Sequence, residues 1–305
     1  MLENLDNVTD LFSHLLTLAR ARSVLSGGLV AGGAWAVEFP ATDQVKFWGI
    51  RRGTATVDFG TGTPLRLNAG DVLLFRAAGP HVLAGTPDAQ PVPLAALAGA
   101  RLGAVLRHGV GDDFYMIGGK VDLDAAYAPL LLGGLPPLLR IGGDSTAAQP
   151  IHWILDRLVA ERDAALPGMD AASAQLAQLM VIEILRAHIA AAGTLGSGYF
   201  KASADRRLAP ALRLLHGDPG RAWRLTELAA ACAMSRAAFA AYFKSVAGTS
   251  PLRYLAELRM RLAQGRLKDG ASIARLAEEF GYASESAFSH AFKRVLGMAP
   301  SRVRR

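Results

Sequence analysis

The residues in this chain best equipped to recognise another molecule lie near its C-terminus and recur at helical spacing. Phe288 and Phe292 stand four apart, so a helix carrying them buries that stripe and turns Glu285, Ser286, Ser289, His290 and Lys293 outward. Phe239 and Phe243 repeat the arrangement, leaving Arg236, Ala237, Ala240, Ala241 and Lys244 on the free face. The polar members of these sets can hydrogen-bond to the edges of nucleic-acid bases, whereas the alanines can offer only apolar contact of the kind a thymine methyl takes. Arg206, Arg207, Arg253, Arg275, Arg294, Arg302, Arg304 and Arg305 are candidates for neutralising phosphates, which supplies affinity without sequence information. All of this is recognition chemistry. Bond-making chemistry would need a nucleophile beside its base or a convergent set of metal ligands, and neither stands out.

The elements that must position these residues are duplicated. Leu228-Ala229 recurs as Leu276-Ala277 at an offset of 48, and Phe239, Phe243-Lys244, Gly248 and Pro251 recur as Phe288, Phe292-Lys293, Gly297 and Pro300 at an offset of 49. Composition alone does not produce such a match, so two copies of one supersecondary unit are present. In each copy a short helix opens with Thr226 or Ser272 as N-cap, and Ala229 or Ala277 is small enough to let a second helix cross closely. Ser235 or Ser284 caps that second helix. Between the copies Pro251 starts a connecting helix of about 17 residues, or ~25 Å, with Leu255, Leu258 and Leu262 on one side. Such a spacer suits two helices that read duplex grooves about one DNA turn (~34 Å) apart.

The charge layout agrees with this reading. Residues 199–305 hold 19 Lys and Arg against 8 Asp and Glu, while residues 1–198 hold 14 against 18, within a chain of net charge +7. A basic C-terminal third fits a polyanionic partner. The lone Cys232 excludes an internal disulfide framework and a cysteine-rich zinc site. Acidic residues precede the first apolar stretch and arginines follow it, the reverse of a secretory leader. No apolar run approaches the roughly 20 residues of a membrane span, so the chain reads as cytoplasmic with no membrane partner.

Through these residues the last hundred or so positions resemble the AraC family of bacterial transcription regulators. The matching positions include Arg259-Met260, Ala263, Leu267, Ile273, Ala277, Gly281-Tyr282, Ser284, Phe288, Phe292-Lys293, Gly297, Pro300 and Arg304. The resemblance implies a seven-helix domain with two helix-turn-helix units that binds promoter DNA, with RNA polymerase as a partner and activation as the commoner mode. The alanine-rich first reading helix departs from the expected pattern, and its discrimination would rest on Arg236 together with DNA shape.

The N-terminal half has a different texture. From Gly27 to about Gly85, short alternating runs such as "AWAVEFP", "VKFWGIRRG" and "TATVDFG" are broken by Gly and Pro, and "FYMIGGKVDLD" adds a further set, which predicts an antiparallel sandwich or barrel. "AGDVLLFRAAGPHVLAG" is similar to the second motif of cupin barrels, ending at His81. The first cupin motif would bring a His-x-His pair and a Glu, yet "QVKFWGIRRGTATVDFG" contains no histidine. His81 alone does not make a metal site, and His108 joins it only if the fold happens to bring them together, so no metal and no cofactor are expected. Trp35, Trp48, Phe59, Phe75 and His81, with Phe39 and Phe47, could line a pocket for a small effector; aromatic residues at alternate strand positions also serve as core.

The expected architecture is therefore a multidomain α+β chain. Residues 1–150 form a cupin-like barrel or sandwich with flanking helices, 151–192 a helical pair for packing or homodimerisation, 193–204 a linker, and 205–305 the all-α DNA-binding domain with its two helix-turn-helix units. The helical pair is expected to carry an apolar stripe through Ile151, Ile154, Leu155, Leu158 and Val159, then Leu176, Leu179, Met180, Ile182, Leu185 and Ile189. The function expected is sequence-specific DNA binding by an activator under small-molecule control. Two other readings stay open: a cupin-type enzyme with a basic interaction domain, and a structural or RNA-binding protein with a nonspecific basic end.

Overall fold

A computed structural model describes residues 10–60, 62–97, 105–133, 135–164, 166–191 and 197–303. The strands are β1 (Arg22–Gly32), β2 (Ala36–Phe39), β3 (Val45–Arg52), β4 (Thr54–Asp58), β5 (Leu65–Asn68), β6 (Val72–Arg76), β7 (His81–Ala84), β8 (Val92–Pro93), β9 (Val105–Gly109), β10 (Phe114–Asp122) and β11 (Leu138–Ile141). The helices are α1 (Leu11–Leu18), α2 (Ala128–Leu132), α3 (Gln149–Ala164), α4 (Met169–Ala190), α5 (Tyr199–Ala204), α6 (Ala209–Gly217), α7 (Leu225–Ala231), α8 (Arg236–Ala247), α9 (Pro251–Lys268), α10 (Ile273–Glu279) and α11 (Glu285–Leu296). The chain divides into two compact units. One comprises residues 22–122 and 136–194; the other comprises residues 1–21, 123–135 and 195–305.

The first unit is a two-sheet barrel. Six strands run in the order β11-β6-β3-β10-β1-β9 and five in the order β5-β4-β7-β2-β8, with most neighbours antiparallel. Alternation of side chains across each strand sends Trp48 and Ile50 of β3, Leu73 and Phe75 of β6, and Phe114 and Met116 of β10 into one shared core. The glycine-aspartate turn before β6 has a structural reason. The buried Asp71 carboxylate accepts from Arg140 Nη2 at 2.7 Å, Asn68 N at 2.8 Å and Gly143 N at 2.9 Å, which ties the turn to β11 and the segment after it. On the outer side, α3 and α4 pack as an antiparallel pair, with Ile151, Ile154, Leu155 and Leu158 buried from α3. The buried stripe of α4 is Ala177, Met180, Val181, Ile184 and Leu185. The expected stripe is thus corrected: Leu179 is exposed, and Val159, Leu176, Ile182 and Ile189 are only half-buried, because the face that meets β1 is rotated toward Ala177 and Val181.

The second unit is helical. Its centre is α9, an 18-residue helix whose N1 proline and buried Tyr254, Leu255, Leu258, Met260, Ala263 and Leu267 make it the spine on which both repeats pack. Leu262, expected on the buried side, is half-buried against the second repeat. Around Tyr254 the first repeat closes: Tyr199 stacks on it at 4.1 Å and donates to its backbone carbonyl at 2.9 Å, while His216 Nε2 lies 2.8 Å from its hydroxyl. Helices α1 and α2, distant in sequence, belong to this unit and pack on α5 and α6. Asp10 caps α1 by accepting from Phe12 N and Ser13 N. Residues 193–196 of the expected linker lie outside the described residues.

Candidate nucleic-acid interface and candidate ligand cavity

The two reading helices are built alike. Ser235 and Ser284 are their N-caps, accepting from Ala238 N at 3.2 Å and Ala287 N at 3.1 Å. Both helices end on a glycine at φ 73°, Gly248 or Gly297, whose N–H donates to the carbonyl of Lys244 or Lys293 at 2.9 Å. Phe239, Phe243, Phe288 and Phe292 are fully buried. The sequence-derived outward sets fall on the opposite faces: Arg236, Ala237, Ala241 and Lys244 are exposed with Ala240 half-buried, and Glu285, Ser286, His290 and Lys293 are exposed with Ser289 half-buried.

One cap differs from expectation. Helix α7 begins a residue before Thr226, with Arg224 at the N-cap, because Glu227 Oε2 accepts from the Arg224 N–H at 2.8 Å and satisfies that end of the helix. The second copy does use Ser272, which accepts from Arg275 N at 3.2 Å.

Arg206, Arg207, Arg253, Arg275, Arg294 and Arg302 are all exposed, while Arg304 and Arg305 lie outside the described residues. Arg207 rests 4.2 Å above the Tyr242 ring, whose hydroxyl donates to Asp205 at 2.8 Å, so its guanidinium is held in place by α8. Arg259 and Arg266 serve the scaffold instead. Arg259 donates to the carbonyls of Pro219 at 2.5 Å and Arg221 at 2.8 Å, and Arg266 pairs with Glu279 at 2.8 Å. Two arginines of α9 therefore fix the loop before α7 and the end of α10 to one spine.

The barrel unit contains a cavity of about 810 Å³ between its sheets. Trp48, Phe75 and His81 line it, as does Phe39. Trp35 and Phe59 do not, which corrects the expected lining. Trp35 precedes β2 and is buried against Phe114 at 4.8 Å, while Phe59 stacks on the far side of His81. Phe47 faces the opposite side of β3 from Trp48 and is absent from the lining. His81 is almost fully buried amid Phe39, Trp48, Phe59 and Phe75, with ring centroids 5.4 to 5.5 Å away, and its Nδ1 has no protein hydrogen-bond partner. Burial lowers its pKa, opposed by the Gly79 backbone and aided by Lys46, so the ring is neutral at physiological pH. Among the described residues no three His, Cys, Asp or Glu side chains cluster as metal ligands.

Three charged lining residues escaped the sequence reading: Glu38, Lys46 and Lys120. The signal was present, since Lys46 shares its strand face with Trp48 and Ile50, and Lys120 shares its face with Met116 and Gly118. A lysine at a strand end reads as solvated until the register is known. Burial lowers the Lys46 pKa, Lys120 pushes it the same way and Asp122 opposes.

A barrel with a cavity between its sheets, together with a duplicated helix-turn-helix on a basic helical unit, defines a DNA-binding regulator with a cupin-like domain. The comparisons agree with that class. The profile of the Cupin family matches residues 10–190 and that of a Helix-turn-helix domain matches residues 228–305. A putative AraC-like transcription regulator of Streptomyces lividans is 38% identical over 97% of this chain and 98% of its own. The HTH-type transcriptional regulator AlkR of Acinetobacter baylyi is 30% identical over 89% and 91%. Among solved structures, the DNA-binding domain of AdpA in complex with a target DNA is 30% identical over 33% of this chain and 91% of its own, with a TM-score of 0.31. The chain belongs to the AraC-like transcription regulators, as a DNA-binding protein with a cupin-like ligand-binding domain. Its relatives are regulators rather than enzymes, and no described helix is long and apolar enough to cross a membrane.

Proposed function

We propose that the chain is a cytoplasmic, small-molecule-controlled activator that binds promoter DNA as a homodimer and engages RNA polymerase. The observation that carries the control is chain connectivity. The cavity walls include β1 and β10, which pair from Arg22↔Asp122 onward. The residues just before β1 and just after β10, 10–21 and 123–135, belong to the helical unit, where Asp124 accepts from Lys268 Nζ at 3.1 Å and Arg20 pairs with Asp269 at 3.2 Å. A ligand that shifts the β1–β10 pair therefore pulls on helices seated against α5, α6 and α9. It controls DNA binding only to the extent that it prefers one arrangement over the other.

Base reading is assigned to Arg236, Ala237, Ala240, Ala241 and Lys244 on α8 and to Glu285, Ser286, Ser289, His290 and Lys293 on α11, with most discrimination on α11. Phosphate contact is assigned to Arg206, Arg207, Arg253, Arg275, Arg294, Arg302, Arg304 and Arg305. Binding measured on variant duplexes across a salt series tests this division. His290→Ala is expected to relax base preference with little change in salt slope, and Arg253→Ala to lower the slope by about 1 with preference kept. Equal effects of the two substitutions would undo the assignment.

For the homodimer, the support is the exposed apolar surface of the α3–α4 pair, where Trp153 is 62% and Leu179 37% exposed. Sedimentation of Trp153→Glu/Leu179→Glu is expected to show monomers where the parent chain shows dimers. A dimer that survives would place the interface elsewhere. Activation is tested by transcription with purified RNA polymerase from a promoter that the protein footprints.

A further inference from the structure

We propose that the ligand of the barrel cavity is an apolar carboxylate, its head held between the Lys46 and Lys120 ammonium groups and its body lying against Phe39, Trp48 and Phe75. This rests on the cavity being the effector site proposed above and names the chemistry of its occupant. Four observations carry it. Lys46 and Lys120 are direct cross-strand partners in the β3–β10 register, two steps along from the Trp48↔Gly118 pair on the same inward face. Like charges placed directly opposite one another destabilise a sheet, and ammonium groups are seldom turned into a barrel interior without a counter-charge.

One carboxylate, Asp122, serves both lysines and forms a direct ion pair with only one of them. Lys120 pairs with Asp122 at 3.0 Å, while Lys46 reaches only the amide oxygen of Gln44 at 3.4 Å and enters none of the ion pairs among the described residues. Glu38, the remaining charged group of the lining, stands on β2 in the other sheet and pairs with neither lysine. One positive charge is thus left over at the lysine end, which suits a monoanion. A phosphate ester would bring closer to two charges, and the lining offers no arginine fork to match it.

The rest of the lining sets the body of the ligand. Phe39, Trp48, Phe75, Leu29, Leu106 and Met116 provide an apolar sleeve, and a cavity of about 810 Å³ is of the size that encloses drug-sized molecules. The His81 ring also lines this space without adding charge, and its buried Nδ1 has no hydrogen-bond partner among the described residues.

The test uses the full-length protein with naphthalene-2-carboxylate, its neutral isostere 2-naphthylmethanol, and 2-naphthyl phosphate, by calorimetry alongside anisotropy of a bound promoter duplex. The carboxylate is expected to bind about tenfold tighter than the alcohol or better, and Lys46→Met and Lys120→Met each to erase most of that preference. Without ligand, Lys46→Met is expected to raise Tm, because it relieves the opposed charges; a lysine kept for structure would lower it. Lys46→Gln supplies the same comparison if the Met variant does not fold. Alcohol binding as tight as carboxylate binding, tighter binding of the phosphate, or no binding of any probe would overturn the proposed ligand class. If the alcohol binds equally well and shifts duplex affinity, the effector reading stands while the ligand class falls. If the carboxylate binds with its lysine-dependent preference and duplex affinity does not move, the ligand class stands while the effector reading falls.

Discussion

At the scale of single residues, the helical unit has two positions where the fold sets a measurable cost. His216 is fully buried, and desolvation, reinforced by neighbouring His14, lowers its pKa to about 3. Its neutral ring is what the folded state holds, so the stability it contributes is intact above the unfolded value near 6.5 and drains away as pH falls from there toward 3. Urea unfolding is expected to show about 1 kcal/mol lost per pH unit across that window, and His216→Gln, which retains a partner for the Tyr254 hydroxyl, to flatten the slope. An unchanged slope would mean that other groups drive the acid response. The second position is the turn inside each repeat. Gly281 takes φ +72° there, and its counterpart in the first copy is Ala233 at φ +52°. An alanine held in the left-handed region is strained, so Ala233→Gly is expected to stabilise the protein by up to about 1 kcal/mol. Gly281→Ala is expected to cost more than that, because its Cβ would also stand 2.7 Å from the Gly220 carbonyl oxygen.

At the scale of elements, what was legible depended on how locally each element is determined. The reading helices were, because Ser caps, the i, i+4 phenylalanines and terminal glycines all act within one helix. So was β3, where tryptophan and isoleucine alternate. Strand β1 was not, since Ser26, Gly27 and Gly28 dilute its alternation, and it becomes a strand through pairing with β10 and β9. The same holds for the outward face of α4: its periodicity fits two adjacent stripes, and only packing on β1 selects Ala177 and Val181. Asp71→Ala removes a buried carboxylate that joins two segments of the barrel, leaves Arg140 without its partner, and is expected to destabilise that unit by about 3 kcal/mol in chemical denaturation. Tyr127 sits where a side chain at Gly265 would go, its hydroxyl 2.0 Å from the position of a Cβ. Burial, with Asp124 and Asp269 adding to it, pushes its pKa up to about 12, so the phenol is neutral there. Gly265→Leu is expected to unseat residues 123–135 and weaken the response of DNA affinity to ligand while leaving ligand binding intact. Retained coupling would show that the signal does not run through that helix.

At the scale of the whole molecule, charge separation and the repeat were readable from composition and spacing, whereas the division into units was not. Residues 10–21 and 123–135 look like parts of the barrel half by position, yet they cluster with the helical unit through Phe12 on Phe200 and Asp124 with Lys268. Those contacts join residues far apart in sequence and leave no periodic trace. A C-terminal fragment beginning at 205 is expected to be less stable than one beginning at 197, which keeps Tyr199 stacked on Tyr254. In the proposed DNA complex α8 and α11, carried on one spine, enter successive grooves of a duplex, with α11 supplying most of the sequence discrimination. Hydroxyl-radical footprinting of the full-length protein on its promoter, repeated for Ser289→Ala/His290→Ala, tests it most directly. Two protected segments per subunit about one helical turn apart are expected, with base preference lost only under the α11 segment in the variant. A single protected segment, or preference lost equally under both, would contradict it.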